Sequence, residues 1–237
     1  MPSREDIRAR RRKKKQQQRL TMILISAGVA LIAFAIIMLP SIQRALTPLQ
    51  EFTIPAPNPR PMADGNAMGD PEAPVTIIEF TSFGCGHCGD FAQGTGERLT
   101  EEYVSNGQVY FVARGVGSLI GNSLTQRAEE AAYCAADQNK YWEYHDIIFA
   151  NQSLLFFSGL THIDNYLNAF AEALGLDTDT FSECLDNHVH QDQVKKDERD
   201  ARAAGVSGTP SFLINGILLE GNQPYRDFQA MIEEALP

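Results

Sequence analysis

The stretch that decides the fold is "PVTIIEFTSFGCGHC", residues 74–88. Its first half, residues 74–80, is short, apolar and rich in β-branched side chains, a pattern typical of a buried β-strand. The second half ends in Cys85 and Cys88, which are separated by a glycine and a histidine. This spacing suits a metal site, a small structural disulfide, or a pair that exchanges a disulfide with another protein. The rest of the sequence decides which of these three kinds of site is present.

The residues around this stretch predict a β-α-β unit followed by a hairpin. After the cysteines, a helix is expected through residues 88–107 and a second strand over residues 108–116. Two strands joined by such a helix form a parallel pair with a right-handed crossover. Near the end of the chain, Asn215-Gly216 separates two short apolar runs, which is a strong hairpin signal. Residues 225–236 have the pattern of a final helix.

A long helical block lies between these two halves, at about residues 120–204. Small and apolar residues recur there at three- and four-residue steps, as at Ala128, Ala131 and Ala135. We therefore predict an α/β domain over residues 68–237, with a central mixed β-sheet flanked by helices and an inserted helical subdomain.

The N-terminal region has the pattern of a membrane anchor. Residues 1–19 carry a net charge of +7, and residues 20–39 carry no charge at all. A helix of that length spans roughly 30 Å, the thickness of a bilayer core. The positive-inside rule places residues 1–19 in the cytoplasm and the domain outside. The apolar run is longer than a signal-peptide core and lacks a convincing cleavage site, so we predict an uncleaved signal anchor in the cell membrane rather than a cleaved signal peptide.

Residues 40–67 contain six prolines and are expected to form an extended extracytoplasmic linker. The chain has a net charge of −10, so the residues beyond the basic segment carry −17. An acidic body of this kind repels phosphate backbones, which argues against nucleic-acid binding.

The position of Cys85 between a strand and a helix favours redox chemistry. Unpaired backbone N–H groups and the positive end of the helix dipole face its sulfur, and both stabilise a thiolate, the reactive species in disulfide exchange. Cys88 lies one turn further on, more deeply buried and within reach of a mixed disulfide on Cys85. We predict Cys85 as the nucleophile and Cys88 as the resolving cysteine. A protonated His87 adds positive charge and favours an oxidising pair.

Two positions outside the motif join the predicted site. Glu79 lies in the apolar strand, where a carboxylate is unfavourable unless it has a partner or a use. It could carry a proton to and from Cys88, although it could also face a wet edge of the strand. The Thr209–Pro210 bond precedes a predicted strand and is a candidate for a cis peptide bond.

Residues 68–237 resemble the DsbA-like branch of the thioredoxin superfamily, and in particular its BdbD-like, membrane-anchored thiol-disulfide oxidoreductases of bacteria. The resemblance rests on the order and spacing of four segments: "VTIIEFTSFGCGHC", "AAYCAADQNKYWEYHDIIF", "ALGLDTDTFSECL" and "GVSGTPSFLING". It implies a thioredoxin fold with a helical insertion. It also implies the roles already given to Cys85, Cys88 and Glu79, and a cis bond at Thr209–Pro210 that faces the active site and pairs with the substrate backbone.

The remaining cysteines, Cys134 and Cys184, lie alone on two predicted helices. A free cysteine on an apolar helix face is usually inert packing, but outside the cytoplasm two such cysteines invite pairing. Some proteins that this chain resembles carry a second disulfide between these helices. We therefore expect a structural Cys134–Cys184 bond without a catalytic role.

Zinc binding is the main alternative for the CxxC motif. Structural zinc needs four ligands, commonly from two such pairs, and only one pair is present. His145 and His162 are expected to be packing or surface residues rather than ligands, so we predict no metal and no bound cofactor. A membrane-anchored binding module with a structural Cys85–Cys88 disulfide is the non-enzymatic alternative.

Within the redox interpretation, His87, the exported location and the single redox domain favour an oxidase that donates disulfides to exported proteins with free cysteines. An isomerase is often a dimer, and no dimerisation domain is evident, so we expect a monomer. A reductase, including one serving cytochrome maturation, would need electrons delivered across the membrane. The resemblance implies reoxidation by a quinone-linked membrane partner of the DsbB or VKOR type.

Overall fold

A five-stranded mixed sheet organises the C-terminal part of the computed structural model. Its strands are β1 (Ala67–Met68), β2 (Val75–Thr81), β3 (Val109–Gly115), β4 (Ser211–Ile214) and β5 (Ile217–Glu220). Their order across the sheet is β1-β3-β2-β4-β5. The central strands β2 and β3 run parallel, and every other neighbouring pair is antiparallel. The predicted parallel pair and C-terminal hairpin are therefore confirmed.

The structure describes residues 49–117 and 122–237, together with scattered positions between residues 15 and 35. Two compact units are distinguished, residues 1–50 and residues 51–237. Nearly half of the predicted transmembrane helix, residues 20–39, and most of the basic segment before it lie outside the described residues. Among the positions that are described, no helix is long and apolar enough to cross a bilayer. The anchor remains a prediction from the sequence.

Eight α-helices accompany the sheet in the described part of residues 51–237. Five of them, α3 to α7, lie between β3 and β4 and form the inserted helical subdomain. The helices are α1 (Gly86–Ala92), α2 (Thr95–Leu99), α3 (Ser123–Ala136), α4 (Tyr141–Ala150), α5 (Asp164–Ala173), α6 (Thr178–Asp186), α7 (Gln191–Ala203) and α8 (Tyr225–Ala235). Single π-helical turns follow α2 at Thr100–Val104 and α4 at Ser153–Phe157.

The helix predicted through residues 88–107 is broken. The break falls at Gly94, whose φ of −138° and ψ of −95° lie outside the helical region. Glycine has a low helix propensity because its backbone loses the most freedom on folding. The following Gly96 approaches the preceding turn closely, since a Cβ there would lie 3.0 Å from the carbonyl oxygen of Phe91. Two glycines therefore let the chain change direction between α1 and α2.

Helix α1 is anchored on the sheet by Phe91. Its ring centroid lies 6.4 Å from that of Phe111 on β3, 4.5 Å from that of Phe212 on β4 and 5.5 Å from that of Phe228 on α8. All four rings are buried. Aromatic pairs at these separations add to the free energy of burial. This packing fixes the helix that carries the two cysteines.

The second half of the predicted linker belongs to the folded unit. Residues 51–67 are part of the same compact unit as the rest of the domain, whereas the sequence pattern placed them in a spacer. The backbone N–H of Thr53 donates to the Asn151 side chain at 2.8 Å, and the Asn151 amide donates back to the Thr53 carbonyl at 2.7 Å. Phe52 contacts Phe170 edge-on at 5.0 Å. Side chains distant in sequence thus fix an extended, proline-rich segment.

Candidate active site

The two cysteines lie at the start of α1, at one end of β2. Cys85 is the N-cap residue, and its carbonyl accepts hydrogen bonds from the N–H groups of Cys88 and Gly89 at 3.1 and 3.3 Å. The turn before it packs tightly, since a Cβ at Gly84 would lie 2.3 Å from Thr125 Cγ2. The side chain of Cys85 is 9% exposed and that of Cys88 is fully buried, and both thiols are free. The order of burial matches the predicted order of attack.

Cys85 is held as a thiolate at neutral pH. Its pKa is lowered from 9.0 to about 5, mainly by a hydrogen bond from the Cys88 thiol. The backbone N–H groups of Cys88 and His87 add smaller contributions. Charge-assisted hydrogen bonds of this kind favour the anion over the thiol. Cys85 is therefore both a reactive nucleophile and a good leaving group.

Cys88 has the opposite environment. Burial raises its pKa well above 9.0, and the neighbouring charges of Cys85 and Glu79 raise it further. Removing a thiolate from water is unfavourable when no opposite charge compensates. The proton of the reduced pair therefore stays on Cys88, so any reaction that uses this sulfur must also move a proton.

Thr209 and Pro210 lie beside Cys85, 124 residues away in sequence. Cys85 Sγ lies 3.3 Å from the Thr209 carbonyl oxygen, to which the sulfur can donate only when it is protonated. The Thr209–Pro210 peptide bond is cis, as predicted. The segment that leads into β4 therefore forms one wall of the site.

The His87 ring does not pair with a sulfur atom. Its side chain is 80% exposed, and Nδ1 lies 3.7 Å from the Asp90 carboxylate. The backbone N–H of His87, rather than its ring, is among the groups that lower the pKa of Cys85. The expected direct effect of the ring on the thiolate is thus replaced by an effect of the main chain.

Glu79 is buried in β2, between Ala113 of β3 and Phe212 of β4 in the sheet register. Burial raises its pKa from 4.5 to about 8, and the Thr81 side chain and, more weakly, the charge of Arg60 partly oppose that rise. Its charge acts on Cys88, so the two groups are electrostatically linked. The alternative of a wet strand edge is wrong, because the residue is only 2% exposed.

Glu129 and Gln152 support the loop before the cysteines and were not anticipated from the sequence. The carboxylate of Glu129 accepts from the Phe83 N–H at 3.1 Å, and burial raises its pKa well above the usual range. The Gln152 amide donates to the carbonyls of Phe83 and Cys85, both at 2.8 Å. Both residues come from the helical subdomain, so only the tertiary fold brings them to the site. No local sequence signal marks them.

A cluster of polar side chains, formed by Arg60, His145 and Asp146, lies behind the active-site helix. Arg60 Nη2 lies 2.6 Å from Asp146 Oδ1, and His145 Nδ1 lies 2.8 Å from the same oxygen. The Arg60 guanidinium also stacks over Trp142 at 4.9 Å. Burial lowers the pKa of His145 and keeps its ring neutral. His145 is therefore a buried residue, as the packing expectation allowed, but it belongs to a polar cluster rather than to an apolar one.

Cys134 and Cys184 form a disulfide that joins α3 to α6, with an S–S distance of 2.05 Å. His190 lies beside it, close enough that the three side chains resemble a metal-ligand cluster. The two sulfurs are bonded to each other and offer no thiolates to a metal. His190 instead pairs with Asp137 at 2.7 Å.

Comparison with known proteins agrees with this geometry. The sequence model of the thioredoxin family matches residues 62–234. The chain is 30% identical over 175 residues to the probable disulfide bond formation protein D of Bacillus anthracis, an alignment that covers 72% of this chain and 77% of that protein. The chain therefore belongs to the thioredoxin family.

Solved structures show the same fold. Oxidised BdbD from Bacillus subtilis superposes with a TM-score of 0.65 at 21% identity, covering 74% of this chain and 95% of that one. Wolbachia pipientis alpha-DsbA1 gives a TM-score of 0.64 at 22% identity and covers 74% of this chain and 92% of that one.

The chain also resembles part of much longer proteins. It is 36% identical over 148 residues to Na(+)/H(+) antiporter NhaA 3 of Salinispora tropica, which covers 62% of this chain and 21% of the antiporter. The chain thus spans about a fifth of that relative's length.

Proposed function

We propose that the chain is a disulfide-donating oxidase for exported proteins with free cysteines. One observation carries this proposal, the contrast between a Cys85 pKa of about 5 and a strongly raised Cys88 pKa. Stabilising one thiolate stabilises the reduced pair, and a stable reduced pair makes the disulfide a strong oxidant.

The reaction proceeds in two exchanges. A substrate thiolate attacks Cys85 Sγ, the Cys85–Cys88 bond breaks, and its electron pair goes to Cys88 Sγ. Cys88 then takes a proton from Glu79, which is protonated at neutral pH because its pKa is about 8. A second substrate thiolate attacks the substrate sulfur of the mixed disulfide, and Cys85 leaves as a thiolate. The substrate gains a disulfide, and two electrons remain on the enzyme.

The substrate segment is proposed to lie against Thr209 and Pro210, because this wall flanks the sulfur that forms the mixed disulfide.

The proposed location is outside the cytoplasm, with residues 20–39 as a single-pass anchor and residues 1–19 in the cytoplasm. The Cys134–Cys184 disulfide supports an oxidising compartment. Protease added to intact spheroplasts should digest the domain and leave an N-terminal epitope tag protected. Digestion of the domain only after lysis would contradict this topology.

Each cycle leaves Cys85 and Cys88 reduced, so an electron acceptor is required. We propose a quinone-linked membrane partner of the DsbB or VKOR type, with the chain acting as a monomer and holding no cofactor of its own.

The activity is tested by mixing the oxidised protein with a reduced, unfolded substrate that contains two cysteines. We expect one substrate disulfide for each Cys85–Cys88 pair reduced. C88S should trap a mixed disulfide on Cys85, whereas the matched C134S/C184S double variant should still transfer. Failure of the oxidised wild-type protein to transfer a disulfide would overturn the proposal.

A further inference from the structure

We propose that His145 and Asp146, steadied by Arg60, form a proton relay between buried Glu79 and an open cleft beside α1. The relay deepens the proposed function, since it serves the thiol chemistry of the same site. Because Cys88 gains a proton when the disulfide is reduced and loses one when it is reformed, each cycle must move a proton between this buried region and solvent.

The first observation is a cavity that collects unsatisfied polar atoms. Glu79 Oε1, Arg60 Nε and His145 Nε2 are buried and have no hydrogen-bond partner among the described residues. All three residues line one small cavity, whose other walls include Phe91, Phe111 and Trp142. Buried polar atoms are nearly always paired, so three at one place indicate a shared partner.

The cavity has room for that partner. The space open to the centre of a water molecule is about 10 Å³, which is about the volume that one water needs. One water can accept from the Arg60 N–H, donate to Glu79 and donate to His145. A single molecule would thus satisfy all three atoms and connect the carboxyl group to the imidazole.

The second observation is an exit from the cavity. His145 presents Nε2 to the cavity and Nδ1 to Asp146, at 2.8 Å. An imidazole that accepts a proton on one nitrogen can release one from the other. Asp146 is 17% exposed and lines an open cleft of about 710 Å³ together with Gly89 and Gln93 of α1. The ring therefore lies between the buried carboxyl group and a solvent-accessible one.

The surrounding charges suit this path. Glu79 interacts electrostatically with Arg60, both active-site cysteines, Glu129 and Tyr141, and Arg60 is the positive group among them. His145 is influenced by Asp146 and Arg60 and is otherwise surrounded by the rings of Phe83, Tyr141, Trp142 and Phe149. The positive charge of Arg60 can therefore stabilise a transient Glu79 carboxylate. Asp146 in turn balances the charge of Arg60.

The Arg60–Asp146 ion pair by itself would serve to hold residues 51–67 on the domain. That role explains the 2.6 Å contact. It does not explain why Glu79 Oε1, Arg60 Nε and His145 Nε2 meet at a cavity of the size of one water.

The test follows the step in which Cys88 must lose its proton. An aromatic mixed disulfide is formed on Cys85 of the reduced full-length chain with a chromogenic thiol reagent. Attack by Cys88 then releases the coloured thiol at a first-order rate, which is recorded across neutral and alkaline pH. H145Q and D146N should slow this step about tenfold at neutral pH, less than the roughly 10²–10⁴-fold contribution of a group that itself exchanges the proton with the reacting atom, because both residues act through Glu79. H162Q and E172Q, on exposed residues that do not line the cleft, are the matched controls and should not change it.

Further readouts separate a relay from a structural role. The reduction potential should be the same in H145Q and wild type, because a relay changes rates and not equilibria. H145Q should add nothing in an E79Q background, and free imidazole should restore the rate of H145A. Rates for H145Q and D146N within twofold of wild type at every pH would overturn the relay. A strongly reducing wild-type potential would instead overturn the oxidase and leave the relay intact.

Discussion

Cys85 and Cys88 share one turn of helix yet have opposite proton affinities. The difference arises from burial, which raises the pKa of Cys88 most, and from the thiol hydrogen bond between the two, which lowers the pKa of Cys85 and raises that of Cys88. Glu79 adds a buried acid that is charged only in alkaline solution. The site therefore keeps a proton inside and a negative charge at the surface, which is the arrangement a disulfide donor needs.

The Cys85 thiolate should be directly visible. Its absorbance near 240 nm should titrate with a midpoint close to pH 5 in the reduced protein. C88A should move the midpoint upward, because the largest stabilising hydrogen bond is lost.

H87A is the informative comparison, since the exposed ring pairs with Asp90 and not with the thiolate. We expect the Cys85 midpoint in H87A to stay close to that of wild type. A wild-type midpoint above neutral pH would contradict the described electrostatics.

The stability of the reduced protein should depend on pH. Its Cys85 pKa is lowered from 9.0 to about 5, so the thiolate stabilises the folded state fully above pH 9 and not below pH 5. The oxidised protein lacks this group. The free energy of unfolding of the reduced form, relative to the oxidised form, should therefore fall as the pH is lowered from 9 to 5. Paired denaturant titrations measure this difference, and a constant difference over that range would contradict the prediction.

At the scale of elements, the sequence predicted the strands and helices that short-range residue patterns determine. Strands β2 to β5 and the last helix follow from short apolar runs, the Asn215-Gly216 turn and helical periodicity. Strand β1 has only two residues and exists through its pairing with β3, so no pattern marks it. The break at Gly94 also depends on how α1 meets the sheet.

The residues of the candidate site also fall into two groups, those that the sequence pattern predicts and those that only tertiary packing brings together. Cys85, Cys88 and Glu79 lie within one strand-turn-helix segment, so sequence reasoning finds them. The contact between Arg60 and Asp146 spans 86 residues, and that between Glu129 and Phe83 spans 46. Such contacts arise only from the packing of the helical subdomain, which periodicity alone does not specify.

The disulfide between α3 and α6 belongs to this scale. It closes a loop of 50 residues, so replacing both cysteines should lower the free energy of unfolding by about 4 kcal/mol in the chain-entropy account. The C134A/C184A variant should keep the wild-type Cys85 titration, because neither residue contacts the active site. Chemical denaturation measures the first effect and absorbance the second. Equal stability of variant and wild type would contradict a structural role.

At the scale of the whole molecule, charge and apolarity are separated along the chain. A basic segment and an apolar run precede a domain that carries the acidic excess. The proposed anchor would hold the domain near the membrane, where a quinone-linked partner could reoxidise it. Residues 51–67 belong to the folded unit, so they do not form the spacer that the proline pattern indicates.

The central claim is that the Cys85–Cys88 disulfide is given away rather than taken up. The reduction potential of this pair, measured in glutathione redox buffers with the Cys134–Cys184 bond intact, tests it most directly. We expect a clearly oxidising value, nearer to roughly −120 mV for a strong disulfide donor than to roughly −270 mV for cytosolic thioredoxin. A potential as low as that of thioredoxin would contradict the account.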